Sequence, residues 1–321
     1  MNLQTKIPLS KHSDNLIDYK SNILLLGSCF SENIGKTLDY FKFQNTQNPF
    51  GILFHPKAVE TVLDNSVNGY TYSETDIFFN NERWHCFDAH SALSNTDNAE
   101  LLAKLQLESA HLKRKLTEAS HIVITLGTAW VYRFLESDKI VANCHKLPQK
   151  QFKKELLSVA QIQQSLSKIA LLVSTINPKA TLVFTVSPVR HLKDGFVENT
   201  QSKSHLIAAI HNFINQEASN FENKTYYFPS YEIMMDELRD YRFYAEDMIH
   251  PNQTAITYIW EHFKTVSISK ESYNTMATVD TIQKGLRHKP FHPNSEAHQH
   301  FIQKLNTLKA QFCALFPHIT F

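Results

Sequence analysis

The feature that most constrains this chain is an apolar run over residues 23–26 that stops at Gly27 and leads into Ser28 and Cys29. Its length and the glycine that ends it favour a buried strand over a buried helix. A helix over 31–42, capped by its first residue, is expected to follow. Ser28 and Cys29 would then lie at the carboxyl end of a strand, where open α/β sheets bind ligands. The alternative is a simple turn and a small, inert core thiol.

Further apolar segments alternate with helical patterns along the chain. Strands are expected at 121–126, 180–186 and 225–228, and helices at 97–119, 155–176, 202–221 and 253–266. This alternation is typical of an α/β fold, a parallel sheet with helices on both faces. We expect residues 1–267 to form this domain. Residues 268–321 are expected to form a helical extension that packs on the domain and ends in a helix over 296–316.

The composition excludes several classes of protein. The chain has 321 residues, 42% hydrophobic and 20% charged, with a formal net charge of +1, which indicates an ordinary folded protein. Lysine and arginine do not cluster with aromatic residues, so nucleic acid is not an expected partner. The N-terminal segment lacks the apolar core of a signal peptide, and no apolar run approaches membrane-spanning length. We therefore expect a cytoplasmic protein without a membrane span.

The four cysteines are scattered without paired spacing, at Cys29, Cys86, Cys144 and Cys313. This argues against a disulfide framework and against a structural zinc site. We expect reduced thiols, no metal and no cofactor.

Asp247 and His250 stand three residues apart, just before the helix predicted over 253–266. In a turn, this spacing can bring the carboxylate to one imidazole nitrogen and leave the other free to act as a base. The pattern is weak on its own, because the chain contains 17 histidines.

Three loops carry further candidates. Gly51 follows Asn48 and Pro49 and marks either an unusual backbone conformation or an ordinary turn. Asn143 lies in a segment with neighbouring Cys and His, which we place in a loop near the crevice. The polar loop 187–195 carries cations that either hold an anionic substrate or are simply solvated.

Several of these segments together resemble the ordered blocks of the SGNH (GDSL-type) hydrolases, at 27–30, 48–51, 126–130 and 247–251. The first block resembles the motif of the GSCFA family, here Gly-Ser-Cys-Phe-Ser, with Ser31 in place of alanine. The resemblance covers roughly residues 24 to 263. It implies the flavodoxin-like hydrolase fold.

The resemblance also implies roles for individual residues. The first block puts Cys29 at the nucleophile position, although superfamily chemistry favours a serine, here Ser28. The last block supplies Asp247 and His250. In the third block Ala129 stands where an asparagine amide should stabilise the oxyanion, so Asn143 or Thr128 would substitute for it, or activity would be weak. The expected oxyanion or substrate-binding residues are Asn48, Gly51, Gly127, Thr128 and Asn143.

The expected function is hydrolysis of acyl or acetyl esters of small molecules or carbohydrates, or transfer of the acyl group to another acceptor. Cys29 would attack, His250 would accept its proton, Asp247 would orient His250, and the backbone amides of Cys29 and Gly51 would receive the oxyanion. The helix N-terminus is expected to lower the pKa of Cys29. The alternative, suggested by Ala129, is a catalytically degenerate protein that binds a carbohydrate or an acylated ligand.

Overall fold

The computed structural model describes residues 5–11, 14–317 and 319–321. Its strands are β1 (Asn22–Gly27), β2 (Gln44–Gln47), β3 (Ile77–Asn80), β4 (Arg83–Cys86), β5 (His121–Leu126), β6 (Trp130–Phe134), β7 (Lys139–Val141), β8 (Phe152–Leu156), β9 (Thr181–Val186) and β10 (Thr225–Phe228). Its α-helices are α1 (Cys29–Tyr40), α2 (Pro56–Asn68), α3 (Asn98–Glu118), α4 (Val159–Ile176), α5 (Phe196–Gln216), α6 (Ser230–Glu232), α7 (Gln253–Ser267), α8 (Ser272–Arg287) and α9 (Glu296–Leu315).

The central sheet has the strand order β10–β9–β5–β1–β2, and every neighbouring pair is parallel. The predicted α/β architecture and the four apolar strands are therefore confirmed. Strand β2 was not predicted, because its four residues are polar and only partly buried at the edge of the sheet.

Neighbouring side chains of β1 supply two separate cores. Leu24 and Leu26 pack with α2, α3, α4 and α5, whereas Ile23 and Leu25 pack with α1, α7, α8 and α9. This division follows from the alternation of side chains along a strand. Because both faces are covered, the central strands β1, β5 and β9 are almost entirely buried.

The helix predicted over 155–176 was wrong at its start. Residues Phe152–Leu156 instead form β8, which pairs antiparallel with β6, and β7 completes this small sheet on the other side of β6. Helix α4 begins only after Ser158, whose side chain accepts a hydrogen bond from the Gln161 N–H while Gln161 bonds back to the Ser158 N–H. This capping box, rather than apolar periodicity, sets the start of the helix.

Other predicted helix bounds also need correction. Helix α1 begins two residues earlier than the predicted 31–42, because Ser28 rather than Ser31 is its cap. Helix α5 spans Phe196–Gln216 rather than 202–221. The helices predicted over 97–119, 253–266 and 296–316 are present within one or two residues of those bounds.

The C-terminal residues pack on the α1 and α7 face of the sheet. Helix α8, which the polar sequence did not reveal, buries Met276, Val279 and Ile282 there, and α9 adds Leu305 and Phe312. Within the described ranges, no helix combines the length and apolar character needed to cross a membrane.

Gly27 is the last residue of β1 and lies directly against the backbone of the neighbouring strand β5. Its φ is +120°, and a Cβ added there would lie 2.1 Å from the backbone oxygen of Thr125 in β5. A side chain at this position therefore meets both backbone strain and a rigid neighbour. Gly69 also has a positive φ, of +70°, but a Cβ there would meet nothing within 4 Å.

We predict that Gly27→Ala lowers the free energy of unfolding by about 2–4 kcal/mol, since the strands must move apart to admit the methyl group. The matched control Gly69→Ala is expected to cost about 1 kcal/mol, from backbone strain alone. Urea unfolding of both variants measures the difference. Equal losses would show that the contact with Thr125 carries no additional cost.

Candidate active site

A cavity of about 660 Å³ opens at the carboxyl edge of the central sheet. Its walls come from the start of α1, the turn after β5, the loop after β9 and the segment before α7, which contribute Cys29, Thr128, His191 and His250. These residues are widely separated in sequence. They lie close together because the carboxyl ends of parallel strands all lie at the same edge of the sheet.

Cys29 is the first residue of α1 and is partly buried at the cavity wall. Burial raises the pKa of its thiol, and the Glu32 carboxylate adds to this, whereas Lys203 and the N–H groups of Cys29 and Phe30 act in the opposite direction. The expectation of a lowered pKa was therefore wrong. The helix N-terminus does favour the thiolate, but desolvation outweighs it.

Ser28 has no exposed surface. Its Oγ accepts a hydrogen bond from the Phe30 N–H at 3.4 Å, and its own N–H donates to the Thr125 oxygen at 2.9 Å. Ser31 is also buried, and its Oγ donates to the Leu26 oxygen at 3.0 Å. Both hydroxyl groups thus form hydrogen bonds where β1 meets α1. Of the nucleophilic side chains in this turn, it is the Cys29 thiol that faces the cavity.

Asp247 and His250 form an ordered pair at the cavity mouth. The Asp247 Oδ2 lies 2.6 Å from the His250 Nδ1, and its Oδ1 accepts the N–H groups of Ile249 and His250, each at 2.9 Å. These hydrogen bonds lower the pKa of Asp247 to about 2. The carboxylate therefore fixes the orientation of the ring through Nδ1. The other ring nitrogen, Nε2, is not used by Asp247.

Asn48 and Gly51, both predicted as site residues, are not among the residues that line this cavity. The Asn48 Oδ1 accepts the Gly27 N–H at 2.9 Å, while its buried Nδ2 has no hydrogen-bond partner among the described residues. The Gly51 N–H donates to the backbone oxygen of Asn48 at 2.7 Å, and Gly51 has a φ of +74°. This amide, expected to receive an oxyanion, is already used in the turn.

The turn after β5 is directed toward α5. The N–H groups of Gly127 and Thr128 both donate to the Phe54 oxygen, at 2.7 and 3.0 Å. The Thr128 Oγ1 lies 3.0 Å from the Ser202 Oγ, which also accepts the Ala129 N–H at 2.7 Å. Thr128 lines the cavity, but its polar groups are engaged in the packing of α5.

Asn143 lies on the cavity wall as expected, yet its amide is also occupied. Its Nδ2 donates to the Ser91 Oγ at 3.3 Å and its Oδ1 accepts the His145 N–H at 2.8 Å. Cys144 lines the same cavity, and burial raises the pKa of its thiol to about 11. The His145 ring is turned away to the Cys86 oxygen, so it does not activate that thiol.

Two basic residues were not predicted as site residues: His191, which lines the cavity, and Lys203, which is bonded to the backbone that borders it. His191 lies with its Nε2 buried, without a hydrogen-bond partner among the described residues, 3.1 Å from where a Gly127 Cβ would be. Burial, with Lys203 and His250 nearby, lowers its pKa to about 3, so the ring is neutral. Lys203 is fully buried, with its Nζ bonded to the backbone oxygens of Gly127 and Ser187. A lysine on the apolar face of α5, in line with Leu206 and Ile210, was the available signal.

The remaining wall is largely apolar. Trp130 and Tyr132 come from β6, Val141 from β7, and Ile52 and Phe54 from the loop before α2. The small antiparallel sheet that the sequence did not reveal thus forms one side of the cavity. Arg190 and Lys193 lie at its rim, so the predicted loop 187–195 does border the site.

In the part of the chain that the structure describes, no group of three or more histidine, cysteine, aspartate and glutamate side chains is arranged to hold a metal ion. The four cysteines are free thiols.

The fold and this site define an α/β protein with a cavity at the carboxyl edge of a parallel sheet. The GSCFA family model matches residues 22–263, and the model of the GSCFA C-terminal domain matches residues 279–321. The chain therefore belongs to the GSCFA family. No curated protein sequence matches the chain.

His55 provides a test of how dry the cavity wall is. It caps α2 by accepting the Ala58 N–H at its Nδ1, and its Nε2 lies 3.0 Å from the Val141 oxygen, with which the neutral ring forms a hydrogen bond. Burial lowers its pKa to about 4. In the unfolded chain, the His55 imidazole is protonated below about pH 6.5. In the folded protein it stays neutral until the pH falls to about 4.

We predict that this residue makes the free energy of unfolding fall as the pH drops from about 6.5 to about 4, by up to about 1.4 kcal/mol per pH unit. His55→Asn keeps a capping oxygen but does not titrate, so its unfolding free energy should fall less steeply. Urea unfolding of both proteins across this range measures the two slopes. Parallel slopes would mean that His55 titrates alike in both states.

Proposed function

We propose that this protein is a hydrolase of the SGNH (GDSL) type that acts on ester bonds of small molecules or carbohydrates through Cys29, His250 and Asp247. The supporting observation is that the thiol of Cys29 and a histidine held by a carboxylate line one cavity, at the edge of the sheet where this fold binds ligands.

In the first half of the reaction His250 accepts the proton of the Cys29 thiol at Nε2, and the sulfur attacks the carbonyl carbon of the ester. The new S–C bond gives a tetrahedral oxyanion. When it collapses, the C–O bond to the alcohol breaks, and the imidazolium returns the proton to the leaving oxygen. Asp247 holds the ring and stabilises its charged form.

In the second half, water replaces the alcohol. His250 takes a proton from the water, whose oxygen attacks the thioester carbon, and the C–S bond breaks to release the carboxylic acid. The thiolate of Cys29 recovers a proton from the imidazolium. Each half uses the same base and forms the same kind of oxyanion.

We further propose that the oxyanion is received by the Cys29 N–H and by His191. The Cys29 N–H is at the first turn of α1, where amide protons have no partner within the helix. The side chains of Thr128 and Asn143 and the Gly51 amide are already hydrogen-bonded, whereas the His191 Nε2 is not. A neutral imidazole carrying its proton on Nε2 is a hydrogen-bond donor.

The apolar side of the cavity suits the acyl part of the substrate. Trp130, Tyr132 and Val141 offer aromatic and aliphatic surface. Arg190 and His250 lie on the same cavity and leave a polar side for the alcohol, which fits a sugar or another small polar molecule.

For the nucleophile and its base, we predict that Cys29→Ala abolishes hydrolysis of short p-nitrophenyl esters and acetylated sugars. His250→Ala and Asp247→Asn should lower turnover by about 10³-fold or more and about 10²–10⁴-fold, because the base is lost or poorly oriented. Initial rates measure this, with Cys313→Ala as the thiol control remote from the cavity.

If wild type and His250→Ala give the same background rate while an ester or sugar raises the melting temperature of both, the protein is a binding protein and not a hydrolase. Full activity in Cys29→Ala would remove the thiol mechanism.

For the oxyanion, we predict that His191→Phe lowers kcat by about 10²–10³-fold and changes KM little, because the donor acts mainly in the transition state. His211→Phe, at an exposed histidine on α5 that packs on Tyr227 and does not line the cavity, is the control. Steady-state kinetics decide the matter, and an unchanged kcat in His191→Phe would assign the oxyanion to other donors.

A further inference from the structure

Arg190 lies at the junction of three cavities. It lines the candidate site, a groove along the first turns of α5 and a smaller cavity against residues 234–244. Its backbone N–H donates to the backbone oxygen of Ile249 at 3.4 Å, one residue before His250. Arg190 therefore borders the candidate site beside the segment that carries the proposed base.

The guanidinium group of Arg190 has neutral aromatic neighbours. Its Cζ lies 5.7 Å from the centroid of the Phe196 ring at the start of α5, and the Tyr244 hydroxyl is a second neighbour. A guanidinium packs well on an aromatic face and keeps its charge at any physiological pH. These contacts restrict the side chain, but they leave its positive charge uncompensated.

The acidic groups around the cavity do not supply a counter-ion. Asp194 lines the cavity, but its Oδ1 lies 2.6 Å from the Nζ of Lys154. Asp247 already accepts three hydrogen bonds at the cavity mouth. Within residues 5–11, 14–317 and 319–321, no ion pair involves Arg190 or Lys193, the second cation that lines the cavity. The site therefore carries positive charge that these residues do not balance, which favours an anionic ligand.

The position of Arg190 indicates which part of an ester carries the anion. In the proposed reaction His250 returns a proton to the leaving oxygen, so groups beside His250 face the alcohol part. The apolar side of the cavity, with Trp130 and Val141, suits the acyl part. The planar fork of an arginine binds carboxylate and phosphate oxygens through two parallel hydrogen bonds.

We propose that Arg190 determines substrate specificity by binding a carboxylate or phosphate group on the alcohol part of the ester. This inference deepens the proposed function and rests on it for the part of the substrate that is recognised. Lys193 lies on the same cavity but is exposed, so water and salt screen its charge more strongly. Of the two roles considered for the cations of loop 187–195, the geometry thus favours the binding of an anionic substrate.

The test uses acetyl esters whose leaving groups differ in charge. The anionic esters are para-acetoxybenzoate and para-acetoxyphenyl phosphate, and para-acetoxybenzamide is the neutral counterpart. The measured quantity is the ratio of kcat/KM for each anionic ester to kcat/KM for the neutral ester. Comparing this ratio between wild type and a variant removes the intrinsic difference in reactivity among the three esters.

In Arg190→Gln the ratio should fall by about 10- to 100-fold, because a charge-assisted hydrogen bond is lost. Arg190→Lys keeps the charge and should retain more of the preference than Arg190→Gln. The anionic ester with the larger loss distinguishes a carboxylate site from a phosphate site. Arg242→Gln is the control, because it removes an exposed arginine that is paired with Asp240 and does not line the cavity.

The control should keep the wild-type ratio, and Lys193→Gln should change it less than Arg190→Gln does. An unchanged ratio in Arg190→Gln would overturn the proposal. A larger loss in Lys193→Gln would also overturn it, because the exposed lysine would then select the substrate.

A second measurement needs no turnover. Cys29→Ala, with and without Arg190→Gln, is titrated calorimetrically with the alcohol products para-hydroxybenzoate and para-hydroxybenzamide. The anionic alcohol should bind Cys29→Ala about tenfold more tightly than the neutral one, and the added Arg190→Gln should remove this difference. Equal affinities for the two alcohols in Cys29→Ala would overturn the anion site.

The two measurements separate this inference from the proposed function. Binding of the anionic alcohol that requires Arg190, in a protein that hydrolyses none of the esters, would retain the anion site and reject the hydrolase. Ester hydrolysis that requires Cys29, with the same ratio in wild type and Arg190→Gln, would retain the hydrolase and reject the role of Arg190.

Discussion

The site depends on the turn in which β1 ends. Gly27 adopts a φ of +120° against the Thr125 oxygen, its N–H is taken by the Asn48 side chain, and the next N–H, that of Ser28, also goes to Thr125. Three strands, β2, β1 and β5, are thereby tied to one short stretch of backbone. Only a glycine fits there, because a side chain would meet the neighbouring strand. The turn starts α1 at Cys29, and so the thiol lies at the edge of the sheet rather than in either core.

The residues around the cavity differ in their exposure to solvent: one side is exposed and the other is buried. This difference determines how strongly water screens the charges on each side. Asp247 and His250 have about half of their side chains exposed, with values of 45% and 49%, so a proton taken up by the ring can exchange with water. Lys203 is buried and His191 is partly buried, so hydrogen bonds and charges near them are more weakly screened. Cys29 lies between the two sides. In the proposed reaction its proton leaves toward the exposed His250.

The sequence predicted the parts of the fold that apolar patterning controls. The parallel strands and most helices are periodic or continuous in apolar residues, and the aspartate–histidine spacing was enough to place Asp247 beside His250. Strand β2 and helix α8 were missed because they are polar in sequence and become ordered through tertiary contacts. The raised pKa of Cys29 could not be predicted from a helix N-terminus, since the depth of burial is a property of the whole fold.

The surroundings of Ala129 explain why this position offers no hydrogen bond to the cavity. Ala129 is completely buried and its N–H is bonded to Ser202 on α5, so this position supports the helix and presents no side-chain donor to the cavity. In the reaction that we propose, the donor for the oxyanion therefore comes from another element. Two hydrogen bonds hold the loop that carries His191. The His191 N–H donates to the Asn199 side chain of α5. The Arg190 N–H donates to the backbone oxygen of Ile249, the residue before His250. A donor on this loop is therefore held directly against the segment that carries His250, the base that we propose.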